Sequence, residues 1–132
     1  MQSMTKVVVC GSYHRSTDQL ERIIIELEAT TCRILSPLSI DFIDDSSSVV
    51  KLKSEEFFSV AEIEKFHLRA IAECDLVWLH NPDGYVGVMG AFELGYAYSL
   101  RKPIYAFEAP SEAWLKDLVK VVPSVFNALL GL

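Results

Sequence analysis

The sequence has no apolar run near the roughly 20 residues that a membrane helix needs, although 51% of its 132 residues are hydrophobic and its mean hydropathy is +0.26. That combination argues against a helical span and no membrane partner is expected; the surplus apolar surface points to buried strands or a subunit interface. Positive charge is also short: 12 Lys and Arg stand against 18 Asp and Glu, a net charge of −6. A nucleic-acid surface needs a basic footprint, so no nucleic-acid partner is expected. A small anion held by backbone amides and one or two cations stays open. Cysteine is scarce, and Cys10, Cys32 and Cys74 lie far apart with no metal-ligand spacing. No metal is expected, and the three thiols are expected to be reduced and in or near the core. The opening Met1-Gln2-Ser3-Met4-Thr5-Lys6 lacks the features of a secretory leader, which sets the expectation of a cytoplasmic protein. The Gly-x-x-x-x-Gly-Lys-Ser/Thr and Gly-x-Gly-x-x-Gly spacings are both missing, so nucleoside triphosphate and NAD are disfavoured and no cofactor is expected.

What is present reads as alternating strands and helices in one domain, residues 1–132, long enough for a core, since a chain of ~150 residues buries roughly 70% of its extended surface. Val7-Val8-Val9-Cys10 predicts a central first strand ending at Gly11, followed by a polar turn from Ser12 to Thr17. A helix capped by Thr17 or Asp18 carries Leu20, Ile23, Ile24 and Leu27. Cys32 to Leu35 is the second strand. Ile40 to Phe58, with Asp44-Asp45-Ser46-Ser47-Ser48, predicts a long connection with little regular structure, either a functional lid or a solvated excursion.

Ser59-Val60-Ala61-Glu62 is a capping box and opens a helix to about Glu73 with Ile63, Phe66, Ala70 and Ile71 facing the core, His67 beside them, and Glu62, Glu64, Lys65 and Arg69 largely outside. Leu76 to Leu79 is the third strand, with Asp75 structural at its amino end. Ile104 to Phe107 is the fourth. Ser111 and Ser124 each start a short helix, and the apolar end Leu129-Leu130-Gly131-Leu132 is expected to dock on the core or on another subunit. Alternation of this kind predicts an α/β, flavodoxin/Rossmann-like three-layer sandwich with a parallel four- or five-stranded sheet in the order 2-1-3-4(-5).

The chain is organised around the stretch from Asn81 to Ala97. Gly84, Gly87 and Gly90 allow a loop to close on a ligand, with a helix behind it from Gly90 to about Leu100. Glu93 would then stand in the first turn, where the helix dipole favours the ionised carboxylate that a nucleophile needs. A first-turn carboxylate that merely finishes a helix is the other reading. Gly95 within the helix costs ~1 kcal/mol relative to alanine, which predicts close packing there. The turn at Ser12, Tyr13, His14, Arg15 and Ser16 suits a phosphate or sugar, with Arg15 as a charge partner, or is an ordinary solvated turn.

Leu76 to Leu79, the glycine loop, Phe92-Glu93-Leu94-Gly95-Tyr96-Ala97, Lys102-Pro103-Ile104 and the opening Val7-Val8-Val9-Cys10-Gly11-Ser12 resemble the nucleoside 2-deoxyribosyltransferase family and its relatives, the deoxynucleoside monophosphate N-glycosidases. The matches spread over most of residues 6–107, and the Glu-Leu-Gly-Tyr-Ala core is the specific part. The resemblance implies N-glycosidic cleavage or deoxyribosyl transfer on a nucleoside or nucleoside monophosphate. Glu93 would attack the anomeric carbon, with Gly11, Ser12, Tyr13, Asn81, Gly87 and Gly90 as the candidate substrate-binding residues; the surplus apolar surface separately sets the expectation of a homo-oligomer.

Two positions depart from the family pattern. An aspartate expected eight residues before Asp75 is His67, and an Asp or Ser expected six residues before the nucleophile is Gly87. His67 or Asp83 would then supply the acid or base, with Tyr85 and His80 as lesser candidates. The same departures leave room for a nucleotide- or nucleoside-binding module without turnover, or for a purely structural subunit.

Overall fold

Strand parity organises the molecule. In β1 (Thr5–Gly11), Val7 and Val9 point to one face of the sheet, and Val8 and Cys10 to the other; all four are fully buried. The first face packs Leu20, Ile23 and Leu27 of α1 (Thr17–Glu28) together with Trp78, Val125 and Ala128. The second packs Ala70, Ile71, Leu94 and Ala97. Helices thus cover both faces, and three layers result. The computed structural model describes residues 4–43 and 51–131.

The elements continue as β2 (Cys32–Ser36), α2 (Val60–Glu73), β3 (Leu76–His80), α3 (Val88–Ser99), β4 (Ile104–Ala106), α4 (Ala113–Lys116), β5 (Lys120–Val121) and α5 (Val125–Leu130). All strand pairs are parallel, in the order β2-β1-β3-β4-β5, as expected from the sequence, with β5 as the edge element. Every residue of β3 is buried, which is the mark of a central strand covered on both sides. Asp75 clamps its start: its carboxylate accepts the Lys6 N–H at 2.8 Å, and its own N–H donates to the Lys6 carbonyl at 2.7 Å. The three cysteines are free and buried.

The chain leaves β1 toward β2 on one side and meets β3 on the other, so the carboxyl ends of β1 and β3 form the switch point where a crevice opens. Gly11 lies beside His80 in this pairing, with φ +124°, and a Cβ there would come within 2.1 Å of the His80 carbonyl oxygen. Only glycine fits.

Several local expectations change. α3 begins at Val88 with Gly87 as its cap, two residues earlier than the glycine pattern suggests, so Glu93 lies in the second turn and the dipole argument for its ionisation lapses. Gly95 packs against nothing within 4 Å. The capping box at Ser59 and Glu62 is as expected, but Phe66 is exposed and His67 is buried in its place. The helix turns its 64–67–71 face inward, because Ile71 and Ala70 set the core contact. Ser16, in the left-handed region, caps α1 in place of Thr17 or Asp18. Glu112 precedes α4, and Ser111 donates its hydroxyl to the Gly84 carbonyl.

The described parts of the long connection are more regular than their composition suggests. Phe42 and Leu52 form an antiparallel bridge, Leu52 is buried, and Lys53–Glu55 form a 3-10 turn. The Asp44-Asp45-Ser46-Ser47-Ser48 cluster and Leu132 lie outside the described residues. Leu129 packs on the core, whereas Leu130 is exposed.

Replacing Gly11 by alanine should destabilise the fold by more than about 2 kcal/mol, because left-handed strain and backbone overlap coincide there. Urea unfolding measures it; a loss below ~0.5 kcal/mol would contradict the close approach of β1 and β3.

Candidate active site

A cavity of about 400 Å³ opens at the switch point, within the size range of small-molecule sites. The turn after β1 contributes Gly11, Ser12, Tyr13 and His14; Ser36 and Pro37 follow β2; α2 contributes Ile63, Glu64, Phe66 and His67; and the loop into α3 brings Gly87, Gly90 and Glu93. Leu52 and Glu55 close one wall. Gly90 permits the approach of α3, since a Cβ there would meet the Val86 side chain at 3.1 Å and lie 3.8 Å from the Gly11 Cα.

Glu93 is 6% exposed and lines this cavity. Its Oε1 lies 3.4 Å from His67 Nε2, an ion pair whenever the imidazole is protonated. His67 is held in turn: Nδ1 lies 2.7 Å from the Ser36 hydroxyl, and Nε2 lies 3.4 Å from Cys10 Sγ. Burial by itself would raise the Glu93 pKa, but the hydrogen bond and charge of His67, with help from Glu64 and Cys10, outweigh it and hold the carboxyl below its ordinary value. Glu93 is an anion at neutral pH.

Glu64 stands one turn before His67 and was read from the sequence as an outward residue. It faces the cavity instead, and its Oε1 is buried with no hydrogen-bond partner among the described residues. Burial, then interaction with Glu93, pushes its carboxyl up to about 9. A signal existed in the sequence: Glu64, His67 and Ile71 are spaced for one helical face. The same environment raises the neighbouring groups. Burial first, then the Glu93 charge, pushes the Cys10 thiol well up; burial, then Cys10, does so for Tyr13.

The donor atoms of Cys10, His67 and Glu93 lie within 4.8 Å of one another, a spacing that a metal ion can bridge. Sequence spacing could not reveal the trio, since it comes from β1, α2 and α3. These groups are already engaged with one another through the 3.4 Å contacts, which account for their proximity.

Gly11, Ser12, Tyr13, Gly87, Gly90, His67 and Glu93 are therefore brought together. Asn81 and Asp83 are not. Asn81 donates its side-chain N–H to the Glu108 carbonyl at 3.0 Å, and the Asp83 backbone N–H donates to the Glu108 carboxylate at 3.0 Å. A short 3-10 turn over Pro82–Gly84 swings both toward the loop after β4. Arg15 sits over the Tyr85 ring, 3.6 Å from its centroid, and does not line the cavity. His80 Nε2 donates to the Arg15 carbonyl at 2.7 Å, and burial lowers its pKa, so it is a neutral strut for the turn. The Tyr13 hydroxyl donates to the Val9 carbonyl, and its ring stacks on Phe42 at 5.8 Å and meets His67 edge-on at 6.4 Å.

No protein-family model matches the sequence, and no curated protein matches it. Solved structures do resemble it. The chain is similar to a CMP N-glycosidase, BcmB, from Clostridium botulinum, with 18% identity and a TM-score of 0.57 over 89% of this chain and 88% of that one. It is also similar to a 2-deoxyribosyltransferase from Bacillus psychrosaccharolyticus, with 18% identity and a TM-score of 0.54 over 95% and 90%. At this identity the likeness establishes a common α/β fold. Among the described residues no helix is long and apolar enough to cross a membrane.

Stability should follow Glu64. Between the ordinary carboxyl pKa and about 9 the folded protein keeps a proton that the unfolded chain releases, so stability falls as pH rises through that window. Glu64→Gln, permanently neutral, should flatten the fall and raise Tm at pH 8. Even about 1 kcal/mol, after discounting for partial solvent exposure, is about 4 °C. Melting curves across pH test this, and a Tm with the same pH slope in both proteins would refute it.

Proposed function

We propose that the protein cleaves the N-glycosidic bond of a nucleoside or nucleoside monophosphate, or transfers the glycosyl group, with Glu93 as the nucleophile. The observation that carries the proposal is a carboxylate held ionised by His67 while facing a cavity large enough for a nucleotide. Attack of a Glu93 oxygen on the anomeric carbon forms a glycosyl ester as the carbon–nitrogen bond breaks. Water or a second base then resolves the ester, as in retaining glycoside chemistry. The fold likeness to an N-glycosidase and a deoxyribosyltransferase supports the same reading.

In this proposal His67 positions Glu93, taking the place of the family's aspartate by pairing with the nucleophile. Ser12, Gly11, Gly87 and Gly90 form the substrate wall, where the absence of bulky side chains leaves room for a sugar or phosphate, and Tyr13 offers a ring face. Asp83 and Asn81 have no part in it. One domain, residues 1–132, carries the activity in the cytoplasm, without a metal or cofactor.

We also infer a homo-oligomer that uses the outer face of α3. Val88, Phe92 and Gly95 form one stripe there, with Val88 90% and Phe92 55% exposed, and the bare Gly95 lets a second backbone come close. Val88→Glu should shift the protein to a smaller species in sedimentation analysis; an unchanged sedimentation profile would count against this face.

A binding module without turnover is the second reading, favoured by His67 and Gly87 standing where the family pattern has acidic or hydroxyl side chains. Incubation with nucleosides, 2′-deoxynucleosides and 5′-monophosphates, CMP included, separates the two when released base is quantified. Base release should fall by at least about 10³-fold in Glu93→Gln, with the fold intact. Ligands that raise Tm with no base released would favour the module, and release that persists in Glu93→Gln would overturn the assignment of the nucleophile.

A further inference from the structure

Cleavage of a carbon–nitrogen glycosidic bond leaves an electron pair on the base, and an unprotonated purine or pyrimidine departs poorly. A proton donor is therefore required. His67 is poorly placed to supply it, because Nδ1 is engaged by Ser36 and Nε2 is turned to Glu93 and Cys10. Tyr13 has spent its hydroxyl on the Val9 carbonyl. Asp83 does not line the cavity. Glu64 is on the same helical face as His67, lines the cavity, and carries a buried oxygen with no partner.

We propose that Glu64 is the general acid of this site, delivering its proton to the departing base and later accepting one from the attacking water. The proposal rests on the reading of Glu93 as the nucleophile. Its environment fits the task. Glu93 from α3, Tyr13 and Glu55 line the same space, and His67, one turn away on α2, has Cys10 from β1 beside it. Burial and the neighbouring Glu93 keep Glu64 protonated up to about pH 9, while His67 keeps Glu93 ionised. Two carboxyls driven apart in this way divide the acid and nucleophile roles between them.

The steps balance. A Glu93 oxygen bonds to the anomeric carbon as the carbon–nitrogen bond breaks. The bonding pair goes to the base, which takes the Glu64 proton and leaves as a neutral molecule. A water oxygen then bonds to the same carbon, its proton goes to the Glu64 carboxylate, and the ester bond breaks to restore the Glu93 carboxylate. One water is consumed, and one base and one free sugar are released.

The test compares two substrates that differ in their need for a proton: CMP, and 4-nitrophenyl riboside 5-phosphate, whose leaving group departs as the anion. Glu64→Gln should lose about 10²–10⁴-fold in kcat on the nucleotide but less than about tenfold on the nitrophenyl substrate, and the alkaline limb of the wild-type pH–rate profile should vanish. Glu64→Asp should recover part of the loss. Equal losses on both substrates, or an alkaline limb that survives in Glu64→Gln, would overturn the assignment. Glu93→Gln should abolish turnover of both substrates; activity there sinks the nucleophile and leaves the Glu64 result separately readable. Infrared difference spectra need no turnover at all. The wild type should show a protonated-carboxyl stretch at neutral pH that titrates away near pH 9 and is missing in Glu64→Gln. Absence of that band from the wild type rejects the proposal even if Glu64→Gln does not fold.

Discussion

The site depends on one buried charge being tolerated. A carboxylate at 6% exposure is strongly disfavoured unless a partner offsets the loss of water, and Glu93 has that partner in His67, 3.4 Å away. The imidazole is fixed in turn by Ser36 at the end of β2. Without His67 the carboxyl would lose the largest influence that offsets burial, leaving only the weaker contributions of Glu64 and Cys10 to hold it ionised. The ionised state of Glu93 thus depends on a relay across three elements, β2, α2 and α3.

That relay exists because strand parity and a glycine bring the elements together. Cys10 points to the α2–α3 face for the same reason that Val9 does not. Gly11, beside His80, lets the turn after β1 fold over the end of β3, and Gly90 lets α3 approach it. Other polar groups nearby serve this frame: His80 holds Arg15, and Asp75 holds Lys6. The candidate site occupies the small part of the polar interior that is not used for support.

The frame was largely legible in the sequence. β-Branched runs, the Ser59 capping box and the alternation of elements are local signals, and they led to the observed sheet order. Glu93 and the glycines of its loop were legible too, through their resemblance to a known motif. Residues whose role depends on direction were not. Asp83 and Asn81 look like site residues by proximity in sequence, but a 3-10 turn decides where they point, and nothing in Pro82-Asp83-Gly84 reveals Glu108 as their partner. Gly95 suggested intramolecular packing, but a Cβ there would meet nothing within 4 Å. Glu64 was missed because an acidic residue on an amphipathic helix is assigned to water by default, whereas α2 rotates to fit Ala70 and Ile71 and carries it inward.

The departure at His67 from the pattern that the sequence resembles takes on a different meaning once α2 is seen in place. A carboxyl at that position would stand beside Glu93, and two close carboxyls cannot both be ionised, so one of them becomes the acid. Histidine there reverses the sign of the contact and keeps Glu93 ionised, and on the proposed mechanism the acid must then come from another position. A helix repeats its face every three or four residues, so the nearest position that can restore a carboxyl to the same cavity on the preceding turn is three or four residues earlier. Glu64 is at that spacing. On the proposed mechanism, substitution at one position and an acidic residue one turn away are two halves of a single arrangement, in which the positioning role and the protonating role fall to different side chains.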